Sequence, residues 1–375
     1  MTEIYLIRHA QAEGNLYRMM QGHWDGQVTE LGRRQIQALA WRFESIPIDA
    51  VYASDLSRTR QTAEAITGPQ HLPLHTEPAL REINMGRWET QFFANLFIDE
   101  PEQAGFFVSD PERFYIEGAE TFAQVTDRAY AALETIARRH EGQRVAVVSH
   151  GVTIRCLLAK ITGLGLKATD ELPISGNTAV THLRWEDGRF LPDFINDSHH
   201  LAELNLPPWS QTPDLRHEIF DPASDRTWYE RCYADAWETV HGSARAFDPS
   251  PYFEAAQRHH REAPGAVLKI YNGKELAGLV DLDTRRGAHA GYGWISLLYL
   301  TPEYRYQGCG VQLLARAIAL YSRQGRRSLR LHVAEGNKAA LAFYRRWGFE
   351  EIGSENAGAS RLLLMEKKLE GPFHG

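Results

Sequence analysis

The chain has 375 residues, 43% apolar and 24% charged, with a formal net charge of −7; this is globular composition and excludes a disordered or collagen-like chain. At about 150 residues per domain its length gives about 2.5, so two domains are the first expectation. Residues 1–205 hold 19 Lys and Arg against 28 Asp and Glu, and residues 206–375 hold 22 against 20, so neither half has the cationic excess of a nucleic-acid binder.

Residues 3–7 read as a strand that runs into Arg8-His9 after four or five apolar positions, too short for a signal peptide. No later apolar run approaches the ~18 residues of a membrane span. The expectation is a soluble, cytoplasmic protein with no membrane partner. A helix follows over 29–42, with Thr29 as N-cap and Leu31, Ile36, Leu39 and Ala40 on one side. Residues 50–53 form a short strand and 61–66 a helix. Residues 121–139 form a longer helix with Phe122, Val125, Ala129, Ala132, Leu133 and Ile136 at helical spacing, then 144–149 a strand and 152–161 a helix. Strands alternating with helices imply a three-layer α/β/α arrangement on a mainly parallel sheet, with ligands beyond the carboxyl ends of the strands.

Pro207, Pro208 and Pro213 forbid a continuing helix or central strand. The expected division is a domain over 1–205, a linker over 206–213 and a second domain over 214–375. After the seam come a helix over 225–240, strands over 267–271 and 274–283 joined by Asn272-Gly273, and a strand over 292–300. A helix from about 308 to 324, a strand over 328–333, a helix over 337–347 and a strand over 361–368 complete an α+β fold. Arg323, Arg326, Arg327 and Arg330 read as a solvated helix end and strand edge.

Cys156, Cys232 and Cys309 include no C-x-x-C pair, which excludes a disulfide framework, a zinc ribbon and a thioredoxin-type motif. His23, His71 and His75 lack ligand spacing and read as loop residues, and His182 as a structural strand residue, so no metal is expected. His9 and His150 instead follow two strands on one sheet edge. A neutral imidazole nitrogen is a competent nucleophile toward phosphorus, and the charge on the transferred group calls for fixed donors: Arg8, Asn15 and Arg58. Glu82 is placed to exchange the proton of the leaving oxygen. The aromatic residues Phe92, Phe93, Phe97, Phe106 and Phe107 fit a pocket mouth or plain packing equally.

The ordered set Arg8-His9-Ala-Gln-Ala-Glu-Gly-Asn15, Thr29-Glu-Leu-Gly, Ser54-Asp-Leu-Ser-Arg58, Leu80-Arg-Glu82, Ser149-His150-Gly151 and Asn196-Asp-Ser-His-His-Leu201 closely resembles the histidine phosphatase (phosphoglycerate-mutase-like) superfamily over residues 1 to about 201. The resemblance implies a phosphohistidine at His9, a phosphate pocket of Arg8, Arg58 and His150, a proton donor in Glu82, a phosphate contact in Asn15, and no cofactor for this half. Ala10 stands where the family usually has glycine. Ile83-Asn84-Met85-Gly86 replaces the histidine–tyrosine–glycine run of the cofactor-dependent mutases, which points to hydrolysis of a small phosphate ester, with mutase-type phosphoryl transfer as the alternative.

Tyr304-Arg305-Tyr306-Gln307-Gly308-Cys309-Gly310-Val311, after a strand and before a helix, fits an ordinary turn or a backbone cradle for phosphates. With Leu331-His-Val-Ala-Glu-Gly-Asn337 and Tyr344-Arg-Arg-Trp-Gly-Phe349, it resembles the GNAT acetyltransferases (acyl-CoA N-acyltransferases) over roughly 215–370. The resemblance implies acetyl-CoA held by the amides of Arg305, Tyr306, Gln307, Gly308, Cys309, Gly310 and Val311. Its pantetheine would run along Leu298–Leu300, with Asn337 shaping the groove, Tyr344 protonating the departing thiolate and an amine as acceptor. Asp281, Asp283, His332 and Glu335 are candidate bases for the amine proton. The expectation is a bifunctional enzyme; the alternative from another class is that one half is a non-catalytic ligand-sensing module.

Overall fold

Alternation in the first apolar run sends Ile4 and Leu6 to one face of a sheet and Tyr5 and Ile7 to the other, and both sets are buried. In chain order the first unit, Met1–Gln211, comprises β1 (Thr2–Arg8), α1 (Glu13–Tyr17), α2 (Glu30–Phe43), β2 (Ala50–Ala53), α3 (Ser57–Gln70), β3 (Leu74–Thr76), α4 (Phe93–Asp99), α5 (Pro101–Ser109), α6 (Phe122–Arg139), β4 (Arg144–Ser149), α7 (Gly151–Thr162), β5 (Val180–Glu186), β6 (Arg189–Asp197) and α8 (His199–Ala202). The computed structural model describes residues 1–173, 175–208, 212–357 and 360–369. The sheet order is β3-β2-β4-β1-β5-β6; β3, β2, β4 and β1 run parallel, and β5 and β6 form an antiparallel hairpin. α6 and α7 cover the face of Ile4 and Leu6, whereas Leu39, Phe43, Ala63 and Ile66 of α2 and α3 cover that of Tyr5 and Ile7. Thr29 caps α2 by accepting from the Gly32 amide, and Thr121 with Gln124 closes a capping box on α6. The α/β/α expectation holds.

The second unit, Thr212–Gly375, comprises β7 (Arg216–Ile219), α9 (Arg226–His241), α10 (Ser250–Glu262), β8 (Val267–Asn272), β9 (Glu275–Asp283), β10 (Tyr292–Leu300), α11 (Gly310–Arg323), β11 (Ser328–Ala334), α12 (Lys338–Arg346), β12 (Glu350–Ala357) and β13 (Ser360–Lys368). Its sheet order is β12-β13-β11-β10-β9-β8-β7, antiparallel except between β10 and β11. That parallel pairing lasts only from Tyr292–Ser328 to Trp294–Arg330, and a bulge between Ile295 and Leu297 follows at once. Beyond it β10 is bonded to β9 alone, so β10 and β11 part and leave a wedge in mid-sheet.

Three expectations are refined. α11 begins at Gly310 because Tyr306 and Gly308 adopt φ of 61° and 77°, which no helix accepts. β7, α10 and β12 are additional elements. Within the expected 206–213 linker, the Pro207 carbonyl accepts from Gln35 Nε2 and the Pro208 carbonyl from the Asn177 amide, both in the first unit. Residues 209–211 lie outside the described residues.

Candidate active sites

Adjacent parallel strands lie about 4.8 Å apart, so residues that follow matched positions must sit side by side. Arg8 of β1 is opposite Ser149 of β4, and the next residues, His9 and His150, have ring centroids 5.2 Å apart. The two distant histidines therefore share one small space at the sheet edge. His9 Nδ1 lies 2.7 Å from the Ala10 carbonyl, which can only accept; Nδ1 holds the proton and Nε2 keeps its lone pair. Burial and the Arg58 and Arg8 charges push the His9 pKa well below its ordinary value, so the ring is neutral at neutral pH.

Arg58, on the first turn of α3, is fully buried. Its Nε donates to His150 Nδ1 (3.2 Å), and its terminal nitrogens donate to the Trp24 (3.1 Å) and Gly22 (2.8 Å) carbonyls, with Asp25 at 3.8 Å. Burial brings its pKa to about 10, so it remains a cation. Arg8 donates to the Ser175 carbonyl while its Nε is buried without a partner. Gly151 faces the Arg8 guanidinium, whose atoms a Cβ would meet at 3.3 Å. Asn15 Oδ1 accepts from the Ala12 amide (3.0 Å) and lies 3.4 Å from Asn177 Nδ2, which also donates to the His9 carbonyl (3.0 Å).

Glu82 is tied to the α7 N-terminus. Oε1 accepts from the Ile83 amide (3.1 Å) and the Thr153 amide (3.0 Å) and lies 3.2 Å from the Thr153 hydroxyl, which also faces the Arg81 carbonyl (2.8 Å), whereas Oε2 accepts from the Val152 amide alone (3.1 Å). Oε2 is thus the oxygen with capacity to spare for a proton. Its nearness to both arginines is felt electrostatically, since it counteracts the effect of burial at each. His23 is closer to this site than a loop residue need be: its Nε2 is 3.0 Å from the Glu82 carbonyl. Sequence reasoning did not assign Ser54, Thr153, Asn177 or Gln21. The Gln21 carboxamide is buried against Gly14 with neither polar atom bonded. Phe106 and Phe107 pack on Met85, Trp88 and Phe114, whereas Phe97 is half exposed.

In the second unit the arm of β10 that has parted from β11 runs directly into the loop before α11. Leu298 and Leu300 lie on the arm of β10 bonded only to β9. The amides of Tyr306, Gln307 and Gly308 donate to no acceptor among the described residues, and Tyr306 and Gly308 adopt the left-handed conformation that anion-binding turns use. The Arg305 amide, expected in this set, donates to the Pro302 carbonyl, and its side chain bonds the Leu300 carbonyl and Asp235; it braces the loop. Cys309 is buried, with its thiol pKa raised by that burial, and the Val311 side chain is also buried. Gly310 opens α11 against the ring of Phe343, the α12 residue that precedes Tyr344. Tyr344 is buried between Phe343 and Phe349, and burial raises its hydroxyl pKa, so it stays protonated. Asn337 caps α12 through Oδ1 to the Ala340 amide (3.0 Å). Unsatisfied amides beside an open strand arm fit the phosphates and the amide-bearing arm of acetyl-CoA.

The candidate bases separate clearly. Asp281 is buried with both oxygens engaged, by the Tyr229 hydroxyl and by His259 Nδ1, each at 2.6 Å. Asp283 is held by His259, and also by the Arg285 and Arg286 amides, at about 2. Burial opposes charge on His259, but the two carboxylates outweigh it and raise the ring to about 9. Glu335 pairs with Arg361 at the surface (3.4 Å). His332 differs: burial lowers its pKa, Glu355 lies 3.3 Å from Nδ1, and its ring meets Trp294 edge-on at 4.8 Å, where β10 and β11 part.

Among the described residues no group of three or more His, Cys, Asp or Glu is placed to hold a metal, and no helix is long and apolar enough to cross a membrane. The family model of the histidine phosphatase superfamily (branch 1) matches residues 4–198, and that of the acetyltransferase (GNAT) family matches residues 226–349. A protein of Yersinia pestis (strain Pestoides F) described as "Probable phosphoglycerate mutase GpmB" is 31% identical over 209 residues, 55% of this chain and 97% of that protein. Its counterpart from Proteus mirabilis (strain HI4320) is 31% identical over 211 residues, 55% of this chain and 98% of that protein. The solved structure of Bacillus stearothermophilus YhfR matches with TM-score 0.52 and 32% identity, covering 54% of this chain and 100% of that one.

Proposed function

The chain belongs to the histidine phosphatase superfamily and carries a GNAT acetyltransferase domain, and from that premise we propose that it hydrolyses a small phosphate monoester and transfers acetyl from acetyl-CoA to an amine. The carrying observation is the 5.2 Å spacing of the two imidazoles beside the buried Arg58.

In the first reaction the His9 Nε2 lone pair forms the N–P bond while the P–O bond to the ester breaks. Glu82 Oε2 gives its proton to the leaving oxygen and then takes one from the water that cleaves the N–P bond. Arg8 and Arg58 hold the equatorial oxygens. Hydrolysis is favoured over mutase chemistry because the cations next to Glu82 are already neutralised: Arg81 by Asp55 (2.6 Å) and Arg128 by Glu120 (2.7 Å). That leaves charge for one phosphoryl group, not for a bisphosphate. The names of the Yersinia and Proteus relatives make mutase activity the second reading. Incubation with 3-phosphoglycerate and a panel of monoesters separates the two: release of inorganic phosphate supports hydrolysis, and isomerisation without release overturns it.

In the second unit, acetyl-CoA when bound supplies an activated thioester. The Tyr306–Gly308 amides would hold its phosphates, and the Tyr344 hydroxyl would give its proton to the departing sulfur. His332, neutral near pH 7 and oriented by Glu355, would take the proton of the attacking amine. Because the base must be unprotonated, the rate should persist to below pH 6.5 and fall as pH drops through the lowered His332 pKa. His332→Gln should reduce kcat toward small primary amines by about 100-fold and flatten that acid limb, leaving KM for acetyl-CoA unchanged. An unaltered pH profile would remove His332 from the role.

A further inference from the structure

Three neighbouring parallel strands deliver side chains to the phosphate pocket, and the first of them, β2, ends in a residue with no role so far. Ala53 is opposite Val148, so Ser54 stands one strand over from His150. Ser54, Thr59, Arg58 and His150 are all fully buried. Ser54 Oγ is 2.7 Å from His150 Nε2 and 2.8 Å from Thr59 Oγ1. Thr59 Oγ1 in turn faces the carbonyls of Leu56 (2.7 Å) and Ser54 (2.9 Å).

Donor and acceptor chemistry allows this chain one sense. The Arg58 Nε–H can only donate, so His150 Nδ1 carries the lone pair and Nε2 the proton. Carbonyls can only accept, so the Thr59 proton is used on them and Thr59 Oγ1 must accept from Ser54. The sequence of donations is Arg58 Nε–H to His150 Nδ1, His150 Nε2–H to Ser54 Oγ, Ser54 O–H to Thr59 Oγ1, and Thr59 O–H to backbone. The ligand-free pocket therefore holds a neutral His150 with no N–H of its own to offer an anion.

We infer that Ser54, backed by Thr59, is a positioning residue for the phosphoryl chemistry: by accepting the hydrogen bond of His150 Nε2–H it leaves Nδ1 as the nitrogen that exchanges Arg58 for a phosphoryl oxygen. The exchange requires one proton, taken up from water as the anion binds. An N–H bond forms at Nδ1, the Nε2–H stays on Ser54, and the ring becomes an imidazolium between hydroxyl and phosphate. Burial above all disfavours that proton, and Arg58 from α3, His9 after β1, Arg128 from α6 and His23 from its loop, which stand around the ring, add to it. Glu82, held by the first amides of the helix that His150 caps, is the carboxylate of the site. A bound dianion reverses the balance. The same charge arithmetic makes phosphate affinity fall as pH rises.

The rate consequence rests on the hydrolase reading; the ring state does not. The test uses the full chain with ¹⁵N-labelled histidine, inorganic phosphate as probe and p-nitrophenyl phosphate as substrate. The wild type should show His150 as the Nε2–H tautomer without phosphate and doubly protonated at saturation. Ser54→Ala should give mixed tautomers, lose the phosphate-linked protonation, weaken phosphate binding and lower kcat about tenfold to a hundredfold, the scale known for losing the partner that orients a metal-ligating histidine. Ser54→Thr, which keeps the hydroxyl, should restore both readouts. Should Ser54→Ala fold poorly, Thr59→Ala provides the second variant and should loosen the tautomer preference with a smaller loss of rate. A ligand-free Nδ1–H tautomer, or a folded Ser54→Ala protein with wild-type ring states, overturns the inference. Correct ring states without turnover would instead overturn the hydrolase reading alone.

Discussion

His9→Ala is expected to abolish phosphate release, lowering kcat on p-nitrophenyl phosphate on the order of 10⁴-fold or more, the scale for deleting a covalent nucleophile. The reason is geometric. The Ala10 carbonyl fixes the Nδ1 proton, so Nε2 is the nitrogen aimed into a space shared with His150 and Arg58. His150 cannot substitute, because its Nε2–H is held by Ser54 and its Nδ1, bonded to Arg58, takes up a proton when the anion displaces that bond. Mass spectrometry after quenching in alkali, which preserves the acid-labile N–P bond, should find one phosphoryl group on a wild-type peptide containing His9 and none in the variant. Retained turnover in His9→Ala would mean that the pocket works without a phosphoenzyme.

The second large effect falls on activity and stability together. Arg58→Ala removes a buried guanidinium and strands the Gly22 and Trp24 carbonyls and His150 Nδ1. Orphaned buried groups cost about 1–3 kcal/mol each, and the loss of one partner from a buried charged network costs about 3–5 kcal/mol in all. At roughly 2–4 °C per kcal/mol, the melting of the first unit should fall by about 10 °C. Loss of a fixed cation from the transferred group should lower kcat/KM by about 10³-fold. Arg58→Lys should recover little, since one ammonium cannot meet three divergent acceptors. A variant that melts like wild type yet is inactive would confine Arg58 to catalysis.

Much of this was legible in the chain because local signals agreed with burial. Thr29 caps α2, Thr121 caps α6, and the strand carrying Arg8 is apolar on both faces, as parallel strands between two helical layers must be. The Asn272-Gly273 signal marks the β8–β9 hairpin one residue early: Asn272 pairs with Glu275 as the end of β8, and Gly273, at φ 58°, and Lys274 make the turn. A similar signal at Asp187-Gly188, with φ of 50° and 77°, turns β5 into β6, a hairpin that the expected strand and helix elements of the first half did not include. Helix α10 was missed because its buried residues, Phe253, Ala256 and His259, are sparse among polar ones. His259 shows the deeper limit. A lone histidine has no pattern, and its partners Asp281 and Asp283 lie on another element, so no spacing in the sequence could announce the trio. The same holds for Ser54, whose meaning comes from strand order.

The parting of β10 from β11 also has a bearing on self-association. Unpaired strand backbone is normally a hazard at the rim of a sheet, where a foreign chain can add on. Here the unsatisfied stretch is interior: β9 closes one side of the wedge and β13 is bonded along the far side of β11. An intruding strand has no lateral approach, so this domain can keep naked peptide groups ready for a slender, amide-bearing guest without charged gatekeepers to ward off polymerisation.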